Sequence, residues 1–481
     1  MDRPATPESR RSSPVDTARS SNSEPSSAPS DSSYAAHQKV YPRGVAGRYA
    51  RLRVLAAWVL LGLYYANAWI QWNGRQAFLF DLPTRKFYVL GLVLWPQDFI
   101  FLTALLVIAA WSLFFFTAIG GRLWCGFACP QTVWTEVFLW IERIVEGERA
   151  ERMKLDRADW SAGKLARKSL KQFLWVVLAL WTGFTFVGYF TPIRQLGSEL
   201  LSFSVGPWET FWILFYGLAT YGNAGYLREQ VCKYMCPYAR FQAAMFDRDT
   251  LIITYDRERG EPRGPRRRGS DARAAGLGDC IDCTWCVQVC PTGIDIRKGL
   301  QYECIACAAC VDACDAVMDR MGYPRGLIRY TTQNALEHQP TKVLRPRVLV
   351  YAALLSALTV AFVVALFLRR PVALDVVRDR NALYRMLNDG RVENVYDVKI
   401  LNKTESAHRF EVTVAGAGTL AIDPEPARFV VRAGEVFPAA VRVRRAAYEP
   451  AGSETIVFQL RAEGEPRLHA SAKARFLAPA R

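Results

Sequence analysis

The residues with the greatest capacity for chemistry are the cysteines. Twelve occur in 481 residues, all between Cys125 and Cys314. Eight form two runs, Cys280-x2-Cys283-x2-Cys286-x3-Cys290 and Cys304-x2-Cys307-x2-Cys310-x3-Cys314, with 13 residues between them. Three thiolates at x2 spacing can wrap a cubic centre corner by corner while a fourth arrives from elsewhere, so these runs point to iron–sulfur centres. Tetrahedral zinc competes, because Cys-x2-Cys also serves zinc, although zinc sites rarely need eight cysteines in a double pattern. The remaining four form Cys125-x3-Cys129-Pro130 and Cys232-x3-Cys236-Pro237. If each pair is helical, positions i and i+4 put both sulfurs on one face. Two such faces meeting would make a soft site of up to four sulfurs, suited to Cu(I), zinc or an iron–sulfur centre. The plainer reading is structural thiols or a transient disulfide. Met235 could add a thioether, though a lone methionine is more often simple packing.

What is missing narrows the chemistry. No cysteine follows Cys314, so a disulfide framework spread through an exported part does not fit, and metal or redox chemistry in a reducing compartment does. Only His37, His338, His408 and His469 are present, none in an apolar stretch and none beside a cysteine. Two-histidine b-type haem and c-type haem attachment are therefore not expected. A balance of +16 suits the inner face of a membrane, with nucleic acid a remote alternative.

The elements that must position these thiols follow from hydropathy. Residues 1–50, rich in Ser, Pro, Arg and Ala, read as a disordered cytoplasmic tail, and no signal peptide is visible. Five apolar stretches, 54–70, 99–119, 173–190, 208–227 and 348–368, approach the ~20 residues a membrane-crossing helix needs. Lysine and arginine number 9, 10 and 19 in segments 1–53, 120–171 and 227–347, against 3 and 1 in 71–95 and 192–207. Positive connections stay inside, so the N-terminus is expected in the cytoplasm and the C-terminal part outside, with every cysteine on the inner side. Residues 77–95 suggest a hairpin turning at Asp81-Leu82-Pro83-Thr84. Residues 132–145 suggest an amphipathic helix with Trp134, Val137, Phe138, Ile141, Ile144 and Val145 on its apolar face and Glu142, Arg143 and Glu146 adding charge near its end. Beyond residue 368 the period becomes two, as in NVYDVKILN, RFEVTVAG and TIVFQLRAE, predicting about seven strands of an immunoglobulin-type sandwich without its disulfide. His408 and His469 read as surface residues there. The resulting fold class is a multi-pass α-helical membrane protein with a cytoplasmic two-cluster ferredoxin-like module and a C-terminal all-β immunoglobulin-like sandwich. Its expected divisions are a tail (1–50), a four-helix membrane region with both Cys-x3-Cys-Pro motifs (51–245), a linker and ferredoxin domain (246–347), a fifth crossing (348–368) and a periplasmic sandwich (369–481).

The double run resembles the bacterial two-cluster ferredoxin. That resemblance implies a crossed ligand set, Cys280, Cys283, Cys286 and Cys314 for one 4Fe–4S cluster and Cys304, Cys307, Cys310 and Cys290 for the second. Asp315 stands where the first run has Pro291, which leaves the ligands intact. Taken with LFDLPTRKFYVLGLVLWPQDF, GRLWCGFACPQTVWTEVFLWIERIVEG, CKYMCPYARFQ and RDRNALYRMLNDGRVENVYDVKILNK, the chain is similar to the CcoG/FixG/RdxA family of cbb3-type cytochrome c oxidase accessory proteins over nearly everything after residue 40. The resemblance implies a bacterial plasma-membrane iron–sulfur protein that reduces Cu(II) to Cu(I), with Cys125, Cys129, Cys232 and Cys236 as the reactive, copper-handling thiols. It implies copper ions, oxidase subunits, a copper transporter or chaperones and membrane lipid as partners, and no nucleic acid. The electron donor is unknown from sequence, and a homodimer is allowed. Two other readings stand beside it, a quinol-linked electron relay to a periplasmic reductase and a non-enzymatic assembly scaffold.

Overall fold

The computed structural model describes residues 39–268, 276–445 and 452–479, so most of the expected tail lies outside the described residues. Each of the five apolar stretches forms a helix: α1 (Arg48–Asn67), α2 (Phe99–Gly120), α3 (Ala162–Val187), α4 (Pro207–Thr220) and α5 (Pro346–Phe367). By length and composition α2, α3 and α5 can cross a membrane. At 1.5 Å per residue the 22 residues of α2 and of α5 rise about 33 Å, the thickness of a hydrocarbon layer. Helix α1 carries Arg48, Arg51 and Arg53 in its first turns, and α4 changes after 14 residues to a π-helical stretch, Tyr221–Leu227. Within α2, the hydroxyls of Ser112 and Thr117 donate to the carbonyls of Ile108 and Leu113 at 2.8 and 2.7 Å. The helix thereby satisfies its own polar side chains, as apolar surroundings require.

Helices α2 and α5 lie side by side and antiparallel, since Phe101 meets Phe362 and Trp111 meets Tyr351 with ring centroids 6.1 and 5.7 Å apart. Helix α3 packs on α4 at small residues; a Cβ on Gly183 would come 2.4 Å from the Ile213 carbonyl, so only glycine allows that approach. Antiparallel pairing sends the start of α2 and the end of α5 to one end, where the β-sandwich attaches. The other end carries the cysteine-rich module, reached through Leu251 N, which donates to Ile119 O at 3.1 Å.

The predicted hairpin is present and gains a third strand: Phe78–Asp81, Lys86–Val89 and Leu92–Leu94 pair in order, with Asp81 opposite Lys86 across the Pro83 turn. The C-terminal part is an immunoglobulin-like, all-β sandwich. One sheet orders Leu420–Asp423, Val436–Arg445, Val392–Asn402 and Val372–Arg378; the other orders Ala427–Val431, His408–Ala415, Ser453–Ala462 and Glu465–Leu477. Val372–Arg378, Leu420–Asp423 and the two-residue Arg385–Met386 are additions to the runs read from sequence. Between the sheets, Tyr396, Val398, Phe410, Phe458, Leu460 and Phe476 are essentially fully buried, which the period-two pattern demands.

The amphipathic helix forms as Pro130–Glu146, and Trp134, Phe138 and Ile141 of its expected apolar face pack into the core beside Trp175; the departure lies at its C-terminal end. Ile144 is 83% exposed while Glu142 and Glu146 are at most 1% exposed. Cations from neighbouring segments explain the burial of these two carboxylates. Arg152 and Arg228 reach Glu142 Oε2 at 3.3 and 2.9 Å, and Lys168 and Lys171 each lie 2.9 Å from Glu146 Oε1.

Candidate iron-sulfur and thiol site

Two cavities in the cysteine-rich module are ringed by sulfur. One, of about 370 Å³, is lined by Cys280, Cys283, Cys286 and Cys314 together with Tyr255, Trp285 and Arg297. The other, of about 330 Å³, is lined by Cys290, Cys304, Cys307 and Cys310, with Cys286 at its margin. Thus the last cysteine of each run stands with the first three of the other. Backbone conformation makes this possible: Asp282 and Thr284 in the first loop, and Ala306 and Ala308 at the equivalent places in the second, all have φ between 52 and 59°. Left-handed conformations are costly for residues with a Cβ, and their repetition at matched positions curls each loop around its cavity. A two-stranded sheet, Ile252–Tyr255 with Ile328–Thr331, closes the module where the chain enters and leaves.

Four thiols spaced around each cavity suit a polynuclear centre that presents a separate corner to each. Burial pushes the Cys286 and Cys304 thiols up to about 12. A centre bound here must displace those protons and is then held by sulfur–metal bonds.

Asp315 has a local explanation. It lies inside the helix Ala309–Met321, where proline would break the hydrogen-bond ladder, and its carboxylate accepts from Gly326 N at 2.9 Å. Pro291 follows the short helix Trp285–Gln288, where no such ladder continues.

The two Cys-x3-Cys-Pro motifs share one geometry, which differs from a continuous helix. Cys125 lies in Leu123–Phe127 and Cys232 in the π-helical Val231–Met235, but Cys129 and Cys236 are extended and each caps a new helix beginning at the proline. The residue before proline is pushed out of the helical region and proline suits the first helical position, so the Cys-Pro step itself imposes the break. The expectation of sulfurs aligned at i and i+4 on one helix is therefore corrected. All four thiols nevertheless come together. Burial first, then Cys129, Cys232 and Cys236, push Cys125 up to about 12 against the opposing pull of Arg122. Cys232 is likewise raised to about 12 by burial and then by Cys129 and Cys236. Cys125 Sγ donates to Gln242 Oε1 at 3.1 Å. Met235 is 59% exposed.

This thiol group abuts the second cysteine loop. A Cβ on Gly126 would lie 2.7 Å from Ala306 O and 2.9 Å from Cys307 Cα, so glycine alone allows the loop after Cys125 to touch the loop holding Cys307. Cys125 and Cys232 pack against the buried cluster containing Ile305 and Cys307. Arg53 Nη1 of α1 donates to Cys307 O at 2.5 Å. The Asp312 carboxylate accepts from Tyr49 N and Ala50 N at 3.1 and 2.7 Å, placing negative charge at the α1 N-terminus. Buried Arg122 donates to the carbonyls of Tyr302, Cys304 and Ala239. Arg53, Arg122, Gly126 and Gln242 were not singled out from sequence. Only the glycine between Cys125 and Cys129 carries a local signal, and the others depend on segments up to 250 residues away.

Comparisons with known proteins agree with this construction. The chain is 42% identical over 406 residues to Protein RdxB of Cereibacter sphaeroides, covering 82% of this chain and 85% of that one. It is 40% identical over 422 residues to nitrogen fixation protein FixG of Rhizobium meliloti, covering 80% of each. The chain belongs to the FixG/RdxA family. A family model described as a 4Fe-4S dicluster domain matches residues 227–333 of this FixG-family chain, and one described as a 4Fe-4S binding domain matches 101–146. A third, the IG-like fold at the C-terminus of FixG, matches 362–479. A crystal structure of a FixG-related protein from Vibrio parahaemolyticus, 26% identical, covers 23% of this chain and 97% of that one with a TM-score of 0.21. With two 4Fe–4S-binding domains and three helices fit to cross a bilayer, this FixG-family chain is a membrane iron–sulfur electron-transfer protein.

Proposed function

We propose that the chain is a cupric reductase of the bacterial inner membrane, producing Cu(I) for assembly of a cbb3-type cytochrome c oxidase. The contact at Gly126, which sets the boundary thiols against the Cys307 loop, carries this reading. Cys280, Cys283, Cys286 and Cys314 hold one 4Fe–4S cluster, and Cys304, Cys307, Cys310 and Cys290 the second. When bound, the clusters supply reversible one-electron storage. Copper is the substrate, engaged by two of Cys125, Cys129, Cys232 and Cys236 at a time. Thiolate ligands favour Cu(I) over Cu(II), so the site itself pulls the reaction forward. Each Cu(II) gains one electron and a reduced one-electron carrier protein on the cytoplasmic side loses one. The proton displaced from each engaged thiol passes to solvent and returns when Cu(I) leaves. A closed four-sulfur cage would retain the product, so engagement by two thiols at a time is what allows release.

In this reading α1 to α5 all cross the bilayer, the N-terminus is cytoplasmic and the sandwich is periplasmic, as the inner concentration of Lys and Arg favours. The sandwich meets oxidase subunits, a copper transporter or chaperone exchanges the metal, and neither haem nor nucleic acid takes part. The test is purified protein given Cu(II), a reductant and a Cu(I)-specific chelator. Replacing Cys125 and Cys129 together by serine is expected to lower turnover at least 100-fold while iron per chain and cluster absorbance stay unchanged. Turnover that survives would remove copper from these thiols.

A further inference from the structure

Six arginines are buried among the described residues: Arg122, Arg152, Arg228, Arg297, Arg345 and Arg445. Five have a carboxylate oxygen within 3.3 Å: Glu142 for Arg152 and Arg228, Asp295 for Arg297, Asp247 for Arg345 and Glu454 for Arg445. Arg122, 2% exposed, has no carboxylate within ion-pair distance among the described residues. Its fork is spent on three neutral carbonyls, those of Tyr302, Cys304 and Ala239, and Nε meets no acceptor. Guanidinium does not give up its proton inside a protein, and a buried charge without a counter-charge is strongly disfavoured.

The groups around Arg122 indicate where its counter-charge lies. The fork joins the loop after α2, the second cysteine loop and the helix Pro237–Ala244 that follows the second Cys-x3-Cys-Pro motif. Arg122 stands three residues before Cys125, and its fork is bonded to the carbonyl of Cys304, a residue of the second cavity, so it touches the chain on both sides of the junction between the Cys-x3-Cys-Pro thiols and that cavity. Glu136, Glu229 and Glu303 lie in the same neighbourhood, but none comes within ion-pair distance of Arg122 among the described residues, whereas the cysteine sulfurs of the second cavity belong to a loop that its fork holds directly.

We infer that Arg122 is a positioning residue whose counter-ion is the anionic sulfur of the second iron–sulfur centre and the adjoining thiols, and that its fixed charge sets the potential of that centre. Accepting an electron adds negative charge, which a buried cation favours, so removing the cation lowers the potential. The inference rests on the iron–sulfur part of the proposed function and not on copper. Iron per chain is read separately from potential, so failure of cluster binding and failure of the inference are distinguishable.

The experiment is an anaerobic, EPR-monitored redox titration of the full chain, with the second centre identified by its loss on Cys304→Ser. Arg122→Gln is expected to reduce the equilibrium constant for reduction of that centre at least tenfold, about 59 mV for a one-electron couple. The first centre should shift less, and Arg122→Lys should restore most of the difference. An unchanged midpoint with both clusters loaded, or a lysine variant that behaves like glutamine, would overturn the inference. If the glutamine variant loses the second cluster, Arg122→Lys must retain it; loss in both would mean that the three carbonyl bonds, not the charge, are what the site needs.

Discussion

The two ends of the α2–α5 pair are both held by buried ionic groups, but they are built differently. At the sandwich end, the Asp98 carboxylate accepts from Arg369 Nη2 at 2.7 Å, Lys403 Nζ at 3.0 Å and Trp95 N at 3.2 Å, so charges from the start of α2, the end of α5 and the sandwich meet within the protein. Burial alone would push the Asp98 carboxyl up, yet these bonds prevail and hold it below the usual carboxylate range. At the cysteine end, Arg345 at the start of α5 is likewise paired, with Asp247 at 3.1 Å, but Arg122 after α2 is answered only by carbonyls, and a glycine replaces side-chain contact with backbone contact. Both ends neutralise the charges that join the helices; the cysteine end keeps one more, on Arg122, beside the residues that hold the redox centre.

The sharpest way to break this comparison is at Asp98. Asp98→Asn leaves Arg369 and Lys403 without their carboxylate, and losing one partner of a buried pair typically costs about 3–5 kcal/mol. Protection of the Trp95 amide in hydrogen exchange should fall accordingly, with iron content unchanged. Acid should do the same for a stated reason. A carboxyl whose folded pKa is depressed contributes stability above its unfolded value, near 3.9, and that contribution disappears as pH falls through the lower folded value. The sandwich end should therefore hold at pH 5 and loosen below about 4.

Gly126→Val tests the other end. Its Cβ would meet backbone on the Cys307 loop, which cannot turn aside as a long side chain can, so the two loops must separate. Displacements near 1 Å can reduce rates about 100-fold. Rapid-mixing measurement of cluster oxidation by Cu(II) should slow by about that factor, while sandwich stability stays constant. Equal loss of iron would show that Gly126 serves folding rather than transfer.

The smallest expected effect sharpens the contrast. Arg75 meets Glu405 at 2.8 Å beside the Asp98 group, but both are partly exposed. Glu405→Gln should change the stability of the sandwich attachment by only about 0.2–1 kcal/mol, since such pairs are screened by solvent. A loss as large as that of Asp98→Asn would place the anchor at the rim instead.

Much of this was legible because it is local. The x2 spacing of the cysteines, the alternation in Val392–Asn402 and the uncharged run of α2 are properties of consecutive residues. Even the broken helix at Cys129 and Cys236 was available from the prolines that follow them. The burial of Glu142 and Glu146 was not, because hydropathy assigns them to solvent unless Arg152, Arg228, Lys168 and Lys171 are known to converge on them.

By itself the sequence determined the kinds of donor atom, the order of the modules and the helices able to lie in lipid, since spacing and hydropathy act within one segment. Only the tertiary structure decided that Cys125 and Cys232 pack against one buried cluster, that Gly126 presses the Cys125 loop against Cys307 and that Arg122 is the one buried arginine without a carboxylate among the described residues. Those are contacts between segments about 100 to 180 residues apart, and a charge has no assigned partner until the chain has closed around it.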